Sequence, residues 1–267
     1  NPVSSSRFAG FRWSPWPYAW AACCWWELIA VLRYRAFDYA GGDLALFSQI
    51  AWNLAHGSGW NSLLQGHFLG NHANVLAYAV APLYALAPSP ITLLTLKVFC
   101  CTFAAIPLHR LAARWLEPPL ALCVVIAFLL YAPLTHAIVF DFDYEALSPI
   151  VLLWLAVAFL EDRRRLFVGM AVVCALLKEN MPMLVVMAGL LGLLTRPQKR
   201  WWTGVTACAA LWCVVAVFVV IPAARGGHPS LYWEHYAYLG ASPGAIGAHL
   251  VAHPADAASR MWRPEAG

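Results

Sequence analysis

A succession of apolar runs separated by short charged links constrains this chain more than any other feature. Runs at about 17–36, 91–112, 119–139, 147–160, 166–177, 181–195 and 202–222 are poor in charge, and the longer ones reach the roughly 20 residues that a helix needs to cross a bilayer. Charged residues make up 11% of the chain and hydrophobic ones 62%, against about 25% charged in an average soluble domain. The soluble classes are thereby excluded and the lipid bilayer becomes the first partner. The net charge of +4 forms no basic stripe, so no nucleic-acid partner is expected.

Charge placement fixes the expected topology. The segment 73–88 holds only about fourteen residues between Asn74 and Pro88, with Pro82 in its middle. As a helix it covers roughly 20 Å of a core roughly 30 Å thick, so it reads as interfacial or re-entrant. If it does not cross, the basic links (Arg110 and Arg114; Arg163, Arg164 and Arg165; Arg196, Lys199 and Arg200) share a side with Arg7 and Arg12 of the lead, as the positive-inside rule requires.

The expected fold is therefore all-α: a polytopic transmembrane helix bundle of about seven spans. Residues 1–16 form a cytoplasmic lead, 17–222 the membrane module with a first external loop at 37–90, and 223–267 an extracytoplasmic segment. Beginning at Asn1 and stopping at Gly267 in a polar stretch, the chain is expected to be a piece of a longer protein with further spans.

This topology gathers the acids on one face. The external loop carries Asp38 and Asp43, and after the Gly41-Gly42 break the apolar positions Leu46, Phe47, Ile50 and Leu54 recur at helical spacing up to Gly57. That is an amphipathic helix for the membrane interface, with Asp43 as its N-cap. A carboxylate held there is also a pre-positioned base.

In the turn at 140–146, Asp141, Asp143 and Glu145 alternate with Phe140, Phe142 and Tyr144, so the loop is half apolar and should pack on something. Lys178-Glu179-Asn180 joins two short runs and should lie below the outer surface, its charges paired with each other or used in function. Glu27, inside the first span, is expected to pair with Arg33 or Arg35.

Other candidates carry less. The eight cysteines (Cys23, Cys24, Cys100, Cys101, Cys123, Cys174, Cys208, Cys213) lie in apolar runs and read as small hydrophobes. His56, His67 and His72 have no strong metal spacing, and His109 and His136 stand near span ends as structural residues.

The ordered motifs G-D-L-A-L-F-S-Q-I-A-W-N-L-A-H-G, F-L-G-N-H, A-P-L-Y, P-S-P-I-T-L-L, F-D-F-D-Y-E-A-L and L-L-K-E-N resemble the bacterial membrane proteins grouped as domain of unknown function 2079. Those in turn look like distant relatives of GT-C glycosyltransferases such as the aminoarabinose transferases and protein O-mannosyltransferases. The similarity covers about residues 18–245. It departs from the family at Asn71, Asp143 and Asn180, where acidic, histidine and aspartate residues are usual, and the change at 143 weakens a shared metal site.

The resemblance implies a catalytic aspartate in the first external loop, at Asp43, with juxtamembrane helices beside it and a polyprenyl-phosphate sugar donor. The implied enzyme sits in the bacterial cytoplasmic (inner) membrane with its site facing outside. Asp43 is then the general base on an acceptor hydroxyl, in a glycan, lipid or protein. Asp38, His72, Glu179, Lys178 and Lys97 are the expected substrate-binding residues, the two lysines for the leaving phosphate. A divalent metal on Asp141, Asp143 and Glu145 is a further source of positive charge. The alternatives are a membrane transporter, a non-catalytic lipid-binding protein, or a membrane metalloenzyme.

Overall fold

The computed structural model describes residues 13–39, 41–228 and 236–255. The lead with Arg7 and Arg12, and the stretches 229–235 and 256–267 of the expected extracytoplasmic segment, lie outside the described residues.

The chain is mostly helical, and helices form at each of the seven apolar runs. Helix α1, Trp16–Arg35, opens on a proline in its first turn and closes on Arg33 and Arg35, cations that complement the negative helix end. Helix α2 is Gly42–Ala55. A two-residue antiparallel hairpin, β1 (Trp60–Asn61) with β2 (Gly66–His67), follows, then a 3-10 turn over Phe68–Gly70. Helix α3, Ala77–Leu86 with Pro82 inside it, has ten residues, about 15 Å.

The next helices are α4 (Pro90–Phe103), α5 (Ala105–Ala112), α6 (Pro118–Leu129) and α7 (Ala132–Val139). After a 3-10 turn at Tyr144–Leu147 come α8 (Ser148–Leu160), α9 (Arg164–Leu177), α10 (Pro182–Thr195) and α11 (Lys199–Val215). A π turn, Ala216–Val220, runs into α12, Ile221–Ala224. A last helix, α13, covers Pro243–Ala252.

By length and composition, two continuous helices can cross a membrane among the described residues: α4 with α5, Pro90–Ala112, and α11 through α12, Lys199–Ala224. A third is added if α6 and α7, bent by 43° at their junction, count as one. Helix α1 has 20 residues, but its tryptophans and charges leave it outside that group. Helices α8, α9 and α10 have 13, 14 and 14 residues.

The two ends of the bundle differ chemically. At one, Arg110 grips Glu161 with two bonds of 2.6 Å, Arg196 donates to the Phe159 carbonyl at 2.8 Å and Arg164 lies over the Trp201 ring, so the three basic links meet. At the other end of α8 and α9 lie Glu145, Lys178 and Glu179. Helices α10 and α11 pack through glycine: a Cβ on Gly192 would meet the Trp202 ring at 2.2 Å, and one on Gly189 the Thr206 hydroxyl at the same distance.

Candidate functional site

Asp43 enters the site through the pitch of α2. The N-cap falls two residues earlier than expected: Gly41, at φ 83°, takes that position, and Asp43 lies in the first turn without a side-chain capping bond. The left-handed turn at Gly41 sets where the helix starts. Asp43 remains solvent-exposed and close to the positive helix end, which favours a carboxylate.

One turn on, Phe47 lies on the same face as Asp43 and is buried. Against it dock Phe142 and Tyr144, both fully buried, with ring centroids 5.7 and 5.3 Å from Phe47 and 5.2 Å from each other. The half-apolar turn at 140–146 therefore packs on α2, although Phe140 stays half exposed. Docking Phe142 brings its neighbours Asp141 and Asp143 up to Asp43.

The electrostatics follow from that packing. Burial pushes the Asp43 carboxyl above its ordinary range, the negative charges of Asp143 and Asp141 push it further, and His72 and Lys178 pull against them. A carboxyl held up in this way is a better base when ionised.

A second strand of the site comes from segment 71–76, pinned to the break between α9 and α10. Glu179 accepts from the His72 Nδ1 at 2.9 Å and from the Ala73 backbone N–H at 3.0 Å. Asn74 Nδ2 donates to the Leu177 carbonyl at 2.6 Å, and Leu76 N to Leu176 O at 2.8 Å. The bond to Glu179 sets the ring orientation of His72 and puts a proton on Nδ1. Burial alone would raise the Glu179 carboxyl, but its bonds to His72 and Ala73 outweigh it and hold it below the usual range.

Lys178 and Glu179 are not paired with each other. Lys178 Nζ meets Glu145 Oε2 at 2.6 Å, and Asn180 donates to the other Glu145 oxygen at 3.4 Å. The expected metal set is not gathered: Glu145 is engaged by Lys178, and no group of three or more His, Cys, Asp and Glu among the described residues is arranged to hold a metal ion.

Lys97 is fully buried in α4, and its ammonium donates to the carbonyls of Phe140 and Asp141. It props the acidic turn from inside rather than facing a ligand. Asp38 is tied to Arg33, Oδ2 to Nε at 2.9 Å and carbonyl to Nη2 at 2.7 Å, closing the end of α1. Glu27 pairs with neither arginine: it accepts from the Thr95 hydroxyl at 2.6 Å. All eight cysteines are free.

Sequence reasoning missed the hairpin and Asn74, and it missed Arg225. Arg225 borders a cavity of about 400 Å³ with Gln65, His67, Gly70 and Asn71. Burial holds the His67 imidazole below its usual pKa, and its Nδ1 accepts from the Leu69 N–H at 3.3 Å.

Residues 33–262 match the family described as "Predicted membrane protein (DUF2079)". The chain belongs to that family of predicted membrane proteins. No curated protein and no solved structure matches it.

Proposed function

We propose that the chain is a membrane glycosyltransferase, moving a sugar from a polyprenyl-phosphate donor to an acceptor hydroxyl with Asp43 as general base. The observation that carries this is the setting of Asp43: a solvent-reachable carboxylate on a helix start, its pKa raised by partial desolvation and by Asp143 and Asp141, beside a histidine oriented by Glu179. In this reading the bundle has about seven spans in a GT-C-like arrangement within the bacterial inner membrane. Residues 37–90 form the external loop, and Asp43, His72, Asp143 and Glu179 face outside.

In the reaction the acceptor hydroxyl loses its proton to Asp43 as its oxygen attacks the anomeric carbon. The bond from that carbon to the lipid phosphate breaks, and configuration inverts. Positioning and proton removal are the protein's contributions. His72 hydrogen-bonds donor or acceptor, and Asp141 and Asp143 keep the Asp43 pKa high. Lys178 is held by Glu145 at the α9–α10 break.

The same break, with paired charges between two short helices, is the feature a transporter would also use. Transfer from a radiolabelled polyprenyl-phosphate sugar, assayed with the protein in proteoliposomes, separates the two. Asp43→Asn is expected to lower transfer by about 10²–10⁴-fold, the size of a general-base contribution. Full activity in Asp43→Asn refutes the base assignment. Substrate uptake without transfer selects the transporter.

A further inference from the structure

The reaction proposed above leaves a phosphate on the lipid, and the lysines expected to meet it are committed elsewhere: Lys97 to the carbonyls of the acidic turn and Lys178 to Glu145. Another cation lies near the same loop. Arg225 follows directly on the long apolar helix Lys199–Ala224, where a span ends and a lipid headgroup begins.

The cavity beside it combines polar side chains and bare backbone with Leu64 and Ala224. Gln65, His67, Asn71 and Arg225 line it, with Gly66, Gly70 and Gly226 between them, and no carboxylate is among its described lining residues. Its volume of about 400 Å³ equals roughly a dozen water volumes. Gly70 is needed for the close approach of the loop to the helix end: a Cβ there would sit 2.9 Å from Arg225 Cγ and 3.3 Å from Ala224 O.

The bland account of Arg225 is a cation that complements the C-terminal end of a helix and snorkels to the interface. That account leaves a donor unexplained, because Arg225 Nε is buried and has no hydrogen-bond partner among the described residues. A buried unpaired guanidinium nitrogen costs stability. An anion in the cavity would not reach that sealed nitrogen, but it would give the guanidinium that lines the cavity a counter-charge, and a planar fork of donors suits phosphate oxygens.

We propose that this cavity is the phosphate subsite for a polyprenyl phosphate, with Arg225 as the charged anchor and Gln65 and Asn71 as neutral donors. The lipid's identity rests on the transferase reading; the anion site does not. Segment 66–72 joins the two places, since Asn71 lines the cavity and the adjacent His72 is held at the Asp43 cluster by Glu179.

The test is direct binding of polyprenyl monophosphate to the full chain in phosphatidylcholine nanodiscs, read by native mass spectrometry. Saturable 1:1 binding is expected, weakened at least about tenfold in Arg225→Gln, the loss of one charge-assisted anchor, and less in Arg225→Lys. Gln65→Leu and Asn71→Leu keep the arginine and are expected to weaken binding severalfold, which holds the proposal open to test if Arg225→Gln does not fold.

Equal binding in wild type and Arg225→Gln overturns it and leaves a snorkelling cation. Equal binding of the phosphate-free polyprenol also overturns it. Displacement by millimolar inorganic phosphate reassigns the cavity to free phosphate and overturns the lipid assignment. Asp43→Asn is expected to bind like wild type. Binding that depends on Arg225 therefore stands even if transferase activity is absent, and activity without that dependence sinks only the subsite.

Discussion

Removing Glu179 tests whether the two halves of the site are held together as described. Its carboxylate is 7% exposed and makes a bond to His72 at 2.9 Å and one to the buried Ala73 N–H at 3.0 Å. Glu179→Ala deletes a charge-assisted bond and strands a buried backbone donor, a combined loss of about 3–5 kcal/mol. At roughly 2–4 °C per kcal/mol for a chain of this size, the melting temperature should fall by roughly 6–20 °C. Glu179→Gln, whose amide can still accept from Ala73 and pair with His72, should cost only about 1–2 kcal/mol.

The assay is a thermal melt followed with a thiol-reactive coumarin, since Cys101 and Cys174 are buried and free. The pH dependence gives a second reading. A carboxyl held below its ordinary value in the folded chain contributes stability that is present above its unfolded pKa, about 4.3, and is lost as pH falls through the folded pKa. Wild type should therefore lose part of its advantage over Glu179→Gln on acidification below that value. A Glu179→Ala protein melting within about 1 °C of wild type would refute the idea that this carboxylate pins segment 71–76, because the expected shift is several times larger.

Three further outcomes follow from other contacts. Asp43→Asn should raise the melting temperature at neutral pH while it lowers transfer by about 10²–10⁴-fold: a carboxyl whose folded pKa is raised destabilises the fold once ionised, so the neutral amide relieves repulsion from Asp143 and Asp141. Gly192→Ala should destabilise by about 1–3 kcal/mol, the usual cost of overpacking, because its methyl would meet the Trp202 ring at 2.2 Å; the same melt reads it. Single cysteines at 43, 143 and the exposed position 180 in a cysteine-free background should all label in intact cells with a membrane-impermeant thiol reagent, and labelling of 43 from the side opposite 143 and 180 would dissolve the shared site.

Periodicity and charge made the helices legible in the sequence, because an apolar run and a charged link each report on their own surroundings. Helix α2, the shortness of α3 and the docking of Phe142 and Tyr144 all follow from spacing alone. Pairings were legible only in part. Nothing local tells Lys178 to choose Glu145 over its neighbour Glu179, or Glu27 to choose Thr95 over Arg33, since both choices depend on which helices become neighbours. Lys97 illustrates the same limit: a lysine in an apolar run signals a buried role, but only the fold shows that its partners are two backbone carbonyls. Arg225 left no motif, and its interest comes from a glycine at position 70, far away in sequence.

The π turn at Ala216–Val220 has a geometric consequence. Ala216 and Ile221 are both fully buried together with Ala73, yet five residues of α-helix turn through about 500° and would leave them roughly 140° apart. The Ile221 N–H bond to the Ala216 carbonyl is the i→i+5 link that stacks them instead. One additional residue thus works as a phase shifter in a long cylinder. Upstream of it the helix keeps the azimuth that meets Gly189 and Gly192; downstream it is rotated to meet the 68–73 loop. Deleting one residue between 216 and 220 would bring Ala216 and Ile221 to a four-residue separation, about 400° of α-helix, so an ordinary turn would keep them stacked and leave the Arg225 guanidinium aimed at the same neighbour.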